Sequence, residues 1–236
     1  MKRIYFDNAA TSWPKPPGVL AGMAAYLDDI GGSPGRSGHR MSIDASRLIE
    51  DARCAIAALF SFPDPLRISF CKNATEALNT AIFSLVPEGG HVVVSRGEHN
   101  SVMRPLRHLE ATRKVRLSFA AADRHGRWSV ESVLDEIGPD TAAAVLCHAS
   151  NVTGLHMPVA EVIPELERRG VPLIVDGAQG AGAIALDLSR AALAAYAFTG
   201  HKSLLGPTGT GGLIAGEGLD MAPLIFGGTG SLSDQD

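Results

Sequence analysis

From residue 68 to residue 176 the chain alternates short apolar runs with stretches of helical periodicity, and no other feature restricts its fold as much. Residues 68–70, 92–94, 115–119, 141–148 and 171–175 read as strands, while 76–86, 101–111, 130–137 and 161–169 carry apolar side chains at the three- and four-residue intervals of helices. In the first of these helices Ala77, Leu78, Ala81, Ile82 and Leu85 should point inward. Such alternation builds an α/β domain, here with a mostly parallel mixed sheet flanked by helices. Ligands of these sheets gather in the crevice beyond the carboxyl ends of the strands, so polar residues that directly follow a strand are the first candidates for a site.

Two helices are expected upstream. Over 19–29, Leu20, Met23 and Leu27 recur at helical spacing; over 44–60, Ala45, Leu48, Ile49, Ala52, Ile56, Leu59 and Phe60 form one stripe that should pack along one face. No repeat, low-complexity tract or linker divides the sequence, and residues 1–236 are read as one domain. With 45% hydrophobic residues, a chain of 236 can bury a full core. The net charge of -4, with Lys and Arg scattered, argues against nucleic acid as a partner. No apolar run approaches the ~20 residues of a membrane span, and the first residues lack the long apolar segment of an export signal. Cys54, Cys71 and Cys147 have neither paired nor metal-type spacing, so a soluble, cytoplasmic protein with core-buried, reduced thiols is expected.

Chemistry concentrates after the strands. Between the apolar runs 194–198 and 212–215 lies a glycine-rich polar turn with Lys202 near its centre. Glycines there permit a tight path and close approach of another group, so this amine should face a site. Asp176 closes the run 171–175 and precedes Gly177-Ala178-Gln179-Gly180. Its carboxylate either pairs with a heteroaromatic nitrogen or serves the turn itself, and Gln179 either donates to a ring oxygen or stands in solvent. Asn73-Ala74-Thr75-Glu76 opens a helix whose free N–H groups suit a phosphate, with an ordinary cap as the plainer use. The ring of His99 could stack on a flat ligand or merely bond locally. The eight histidines show no i,i+4 pair with a carboxylate between, so no metal is expected. Gly200-His201-Lys202-Ser203 lacks the earlier glycine of a P-loop, and 206–212 lacks the strand-to-helix context of a dinucleotide fingerprint.

One ligand uses all these groups: a planar, phosphorylated heterocycle with an aldehyde, pyridoxal phosphate. Lys202 would form the Schiff base, Asp176 would keep the pyridine nitrogen charged, and Ala74, Thr75, Thr199 and His201 would hold the phosphate. The spacing from Asp176 to Lys202 allows one helix and one strand between them.

The segments Tyr5-Phe-Asp-Asn-Ala-Ala-Thr11, Pro34-Gly-Arg-Ser-Gly-His39, Asn73-Ala-Thr-Glu-Ala-Leu-Asn79, Glu98-His99, Ser150-Asn-Val-Thr-Gly154, Val175-Asp-Gly-Ala-Gln-Gly180 and Thr199-Gly-His-Lys202 resemble, in this order, the class V aminotransferase family, specifically its cysteine desulfurase and selenocysteine lyase branch. The resemblance implies the type I fold of pyridoxal phosphate enzymes and a homodimer with active sites at the subunit interface. It implies an amino-acid substrate, cysteine or selenocysteine, converted to alanine, with a sulfur-acceptor protein as a further partner. His99 and Lys202 become the catalytic pair, Lys202 moving the α-proton, and Asn151 lies near a cofactor oxygen. Thr229, in the late segment Gly227-Gly-Thr-Gly-Ser231, corresponds to a loop that reaches the neighbouring subunit's phosphate. Asn8, Ala9, Arg36 and His39 become candidate substrate contacts, the last two as partners of its carboxylate. Family members continue into a small C-terminal domain bearing the persulfide cysteine and a carboxylate-binding arginine, and neither is in this chain. Residues 1–236 are therefore read as the large domain, truncated. Another class V lyase, epimerase or aminotransferase, or an incomplete cofactor-binding or dimerisation fragment, stands as the alternative.

Overall fold

The computed structural model describes residues 4–35 and 37–227. Its strands are Ile68–Cys71 (β1), His91–Ser95 (β2), Arg116–Ala120 (β3), Thr141–Cys147 (β4), Leu173–Asp176 (β5), Ala194–Thr199 (β6) and Gly211–Ala215 (β7). They form a 7-stranded sheet in the order β1-β7-β6-β5-β4-β2-β3, in which β7 runs antiparallel to both its neighbours and the rest share one direction. The helices are Pro17–Ala25 (α1), which passes into a wider turn at Tyr26–Ile30, then Arg40–Leu59 (α2), Ala74–Leu85 (α3), Asn100–Arg113 (α4), Val130–Leu134 (α5) and Val159–Arg169 (α6).

Successive strand residues point to opposite faces, and here both faces are covered. Val93, Leu146, Val175, Tyr196 and Phe198 enter one core with Phe60 and the α6 residues Val162 and Leu166. Val92, Val94, Val145, Ile174 and Ala197 enter the other with Leu78 and Ile82 of α3 and Leu106 and Leu109 of α4. This is why the strands read as unbroken apolar runs. At one edge of the sheet the Arg67 guanidinium donates to the carbonyls of Ala215, Gly216 and Leu219 at 2.9, 2.7 and 2.5 Å, holding the end of β7 to the start of β1.

Several expectations need correction. No helix separates Asp176 from Lys202; only β6 does. Residues 177–193 form isolated turns, closed by Ala181 N–H to Gly177 O at 2.8 Å and Ile184 N–H to Gly180 O at 2.9 Å. The helix expected over 130–137 stops at Leu134, and the long helix starts at Arg40, where the His39 ring accepts the Ser42 N–H at 3.2 Å. The stripe on that helix is not packed along its length: Leu48 and Leu59 are about half-exposed, at 47% and 49%. Leu20, Met23 and Leu27 of the first helical segment also face outward. Cys54 is exposed and Cys71 half-buried, so of the three thiols only Cys147 lies in the core. No helix among the described residues is long and apolar enough to cross a membrane.

Candidate active site

Because β1, β2, β4, β5 and β6 point the same way, the segments leaving their carboxyl ends converge on one cavity of about 250 Å³. Ala74 and Thr75 arrive after β1, His99 after β2, Asn151 after β4, Asp176 and Gln179 at the end of β5, and Thr199, His201 and Lys202 at the end of β6. These nine residues are separated by up to 128 positions and together line the cavity.

One end of the cavity is built for an anion. Asn73 caps α3 by accepting the Glu76 N–H at 2.9 Å, and the N–H groups of Ala74 and Thr75, at the first two helical positions, have no intrahelical acceptor. Gly211 lets β7 pass this cap, since a Cβ there would stand 2.7 Å from Asn73 Cα. The Thr75 hydroxyl donates to Ser101 Oγ at 3.2 Å, and Ser101 meets His99 Nδ1 through its hydroxyl at 2.5 Å and its N–H at 3.1 Å. An N–H can only donate, so Nδ1 carries the lone pair and the proton sits on Nε2. His99 itself is exposed, its ring open to the cavity. Across from it, His201 Nδ1 is buried with no hydrogen-bond partner among the described residues. Unfilled backbone donors and an orphaned buried ring nitrogen at one cavity suit a phosphate ester.

The other end holds the charged pair. Asp176 is 3% exposed; burial raises its pKa above the usual carboxylate range, against the Ala178 N–H at 2.9 Å and the positive charge of Lys202. Burial likewise lowers the basicity of Lys202, with Asp176 acting in the opposite sense. Each group is thus held near neutrality by desolvation and drawn toward charge by the other. The turn Asp176–Gly180 lies on a buried pair, His148 Nδ1 and the Tyr196 hydroxyl at 2.9 Å. A Cβ on Gly177 would stand 2.5 Å from the Tyr196 oxygen, and one on Gly180 would stand 2.2 Å from His148 Nδ1. Both glycines are required by space, because neither has positive φ.

A strap from the N-terminal region closes the Lys202 side. The carbonyl of His201 receives Ser12 N–H at 3.0 Å, the hydroxyls of Thr11 and Ser12 at 3.1 Å each, and Lys15 Nζ at 2.7 Å. Gln179 Nε2 donates to Ala9 O at 3.1 Å, so Ala9 borders the site while one amide proton of Gln179 is engaged by the strap. Asn8 is exposed and accepts the Trp13 N–H at 2.9 Å, and neither it nor Ala9 is among the residues that line the cavity. His39 caps α2 and does not line the cavity. Arg36 and Thr229 lie outside the described residues.

Sequence reasoning did not single out Gly97, Ser101, Cys147, Ala149 and Ala178 as lining residues, nor Lys15 and Ser12 as anchors of the strap. Ser101, two residues after His99 at a helix start, carried a readable capping signal. The strap carried none, because its partner is 186 residues away. Among the described residues no group of three His, Cys, Asp or Glu could hold a metal ion.

Comparison with known proteins agrees with this geometry. Residues 4–233 match the family model described as aminotransferase class-V. A probable cysteine desulfurase of Halobacterium salinarum is 32% identical over 231 residues, covering 95% of this chain and 55% of the relative. One from Aeropyrum pernix is 33% identical over 235 residues, covering 95% and 56%. Among solved structures, the apo cysteine desulfurase of Thermococcus onnurineus superposes with a TM-score of 0.87 at 29% identity, covering 95% of this chain and 57% of that one. The chain thus spans little more than half the length of these relatives.

Proposed function

The chain belongs to the class V aminotransferase family, and from that premise we propose that its cavity binds pyridoxal phosphate on Lys202 and serves a cysteine desulfurase reaction, releasing sulfur or selenium from cysteine or selenocysteine to leave alanine. The observation that carries the reading is the convergence of Lys202, Asp176 and the start of α3 on one cavity of about 250 Å³. An amine, a buried carboxylate and a cluster of anion donors are the three contacts that an aldehyde, a pyridine nitrogen and a phosphate require.

When bound, pyridoxal phosphate supplies an electron-accepting ring in conjugation with the substrate amine. The protein's part is binding, orientation and proton handling. The N–H groups of Ala74 and Thr75, with the side chains of Thr75, Thr199 and His201, would hold the phosphate. Asp176 would keep the proton of the ring nitrogen in place, and the pairing would stabilise the ionised form of a carboxyl that burial alone disfavours. His99 would cover one face of the ring, Asn151 and Gln179 would bond its polar edge, and Lys202 would carry the proton at the substrate Cα. The lowered basicity of Lys202 favours that last role, since a larger share of the amine is unprotonated near neutral pH.

Removal of sulfur also needs a thiolate, which attacks the substrate sulfur as the C–S bond breaks and retains it as a persulfide. Cys147 lines the cavity, but burial and the Glu98 carboxyl hold its thiol strongly protonated, and burial raises Cys71 as well. Cys54 is exposed on α2 and does not line the cavity, so the thiolate is assigned to a group outside the described residues, whether elsewhere in a longer protein or on a sulfur acceptor. The domain reading follows: residues 1–236 act as the large, cofactor-binding domain, working as a homodimer. The test is to supply the loaded chain with L-cysteine and excess dithiothreitol as acceptor. Sulfide and alanine in equal amounts support the reading; pyruvate, or a racemised substrate with no sulfide, points to another class V reaction.

A further inference from the structure

Glu98 is half-buried beside the site, with its carboxyl turned inward, and has no part in the reaction as assigned. Its Oε1 accepts the Ser95 hydroxyl at 2.6 Å and the Cys147 N–H at 2.6 Å, so the side chain crosses from the end of β2 to the end of β4. Ser95 Oγ also receives the Gly97 N–H at 3.2 Å, and the Cys147 thiol lies 3.8 Å from Gly97 O, which closes a ring of contacts around the turn before His99. Trp128 packs against that turn, leaving 2.7 Å between its ring and a Cβ built on Gly97. The second carboxyl oxygen, Oε2, is buried without a partner among the described residues.

We propose that Glu98 is a positioning residue for this site: by bridging the ends of β2 and β4 through the Cys147 amide, it sets where the neighbouring His99 stands over the cavity. The inference rests on the reading of the cavity as a pyridoxal phosphate site. The bridge needs only a carbonyl-type oxygen that accepts two hydrogen bonds, which a neutral carboxylic acid or an amide supplies equally. A carboxylate would leave a charged oxygen buried without a donor. Burial and then the negative charge of Asp176 at the end of β5 favour the neutral form, and the hydrogen bonds from Ser95 of β2 and Cys147 of β4, which favour the charged one, offset them only in part. Its pKa is accordingly pushed up to about 8. Above that pH the ring of contacts gains a charge beside Asp176, and the carboxylate draws the Cys147 N–H more tightly while Oε2 stays without a donor among the described residues.

The test uses the whole chain with two substitutions, Glu98→Gln and Glu98→Ala. In the cofactor-free protein, the Cys147 amide resonance of a 15N-labelled sample should move in one step centred near pH 8, and the step should vanish in Glu98→Gln. With pyridoxal phosphate added, Glu98→Gln should bind within about threefold of the parent, whereas Glu98→Ala, which leaves the Ser95 and Cys147 donors unpaired, should bind about tenfold more weakly or worse. A Cys147 amide that ignores pH over this range, a step that persists in Glu98→Gln, or equal affinity of Glu98→Ala and the parent would overturn the proposal. If the parent itself does not bind pyridoxal phosphate, the cavity reading fails, and the amide titration still decides the bridge. If Glu98→Ala does not fold, the parent and Glu98→Gln decide it between them.

Discussion

Replacing Gly180 by alanine puts a methyl group where the His148 imidazole already stands. The new Cβ would lie 2.2 Å from Nδ1, 2.5 Å from Cγ and 2.8 Å from Cβ of that residue. The ring has little room to withdraw, being 3% exposed and held by the Tyr196 hydroxyl at 2.9 Å, while the His148 N–H donates to Asp176 O at 2.9 Å. Overpacking of this kind costs about 1–3 kcal/mol, and parting a buried hydrogen-bonded pair costs about 1–3 kcal/mol more. The expected loss is about 2–6 kcal/mol, which for a chain of this length lowers Tm by roughly 4–24 °C. Thermal and urea unfolding of Gly180→Ala, His148→Ala and the double variant measure it. With the ring gone the methyl has space, so the double variant should be less destabilised than the sum of the singles by about 1 kcal/mol or more. A Gly180→Ala variant within ~0.5 kcal/mol of the parent, or strict additivity, would refute the steric account of this glycine. Because Asp176 and Gln179 ride on the same turn, Gly180→Ala should also bind pyridoxal phosphate more weakly.

Two further outcomes are expected. Asn73→Ala removes the cap on Glu76 N–H and should cost about 1 kcal/mol of stability, read from urea midpoints, while weakening inorganic phosphate as a competitor of the cofactor. Stability should also depend on pH from two sides. His148 stays neutral in the folded chain down to about pH 4 against a usual value of 6.5, so the unfolded chain gains a proton that the folded one refuses, and stability falls as pH drops through that window. Glu98 keeps its proton up to about pH 8 against a usual 4.5; its contribution is full below 4.5 and is lost as pH rises to 8. The unfolding free energy of the parent minus that of Glu98→Gln should therefore decline between those two values and stay level outside them; a flat difference contradicts the burial of this proton.

The sheet was legible because its strands are buried on both faces: Val92 and Val94 supply one core and Val93 the other, and no amphipathic strand could give that run. The site was legible where a residue directly follows a strand, as Asp176 and Lys202 do. Periodicity failed where tertiary contacts decide. Residues 177–193 contain glycines shaped to His148, Tyr196, the Ser203 backbone and the Leu204 side chain, and they turn instead of coiling into a helix. Leu48 and Leu59 match a buried stripe in spacing, yet the described residues leave each about half-exposed. The hydroxyl relay from Thr75 through Ser101 to His99, and the strap on the His201 carbonyl, are matters of distance between segments that no local pattern records.

The central claim is that Lys202 is the covalent anchor of an aldehyde cofactor. Its most direct test is to mix the chain with pyridoxal phosphate, reduce with borohydride, digest, and locate the added mass by tandem mass spectrometry. The account predicts a single modified lysine, Lys202, and no modification in Lys202→Ala. Labelling spread over Lys15, Lys72 and Lys114, or undiminished in Lys202→Ala, would contradict it.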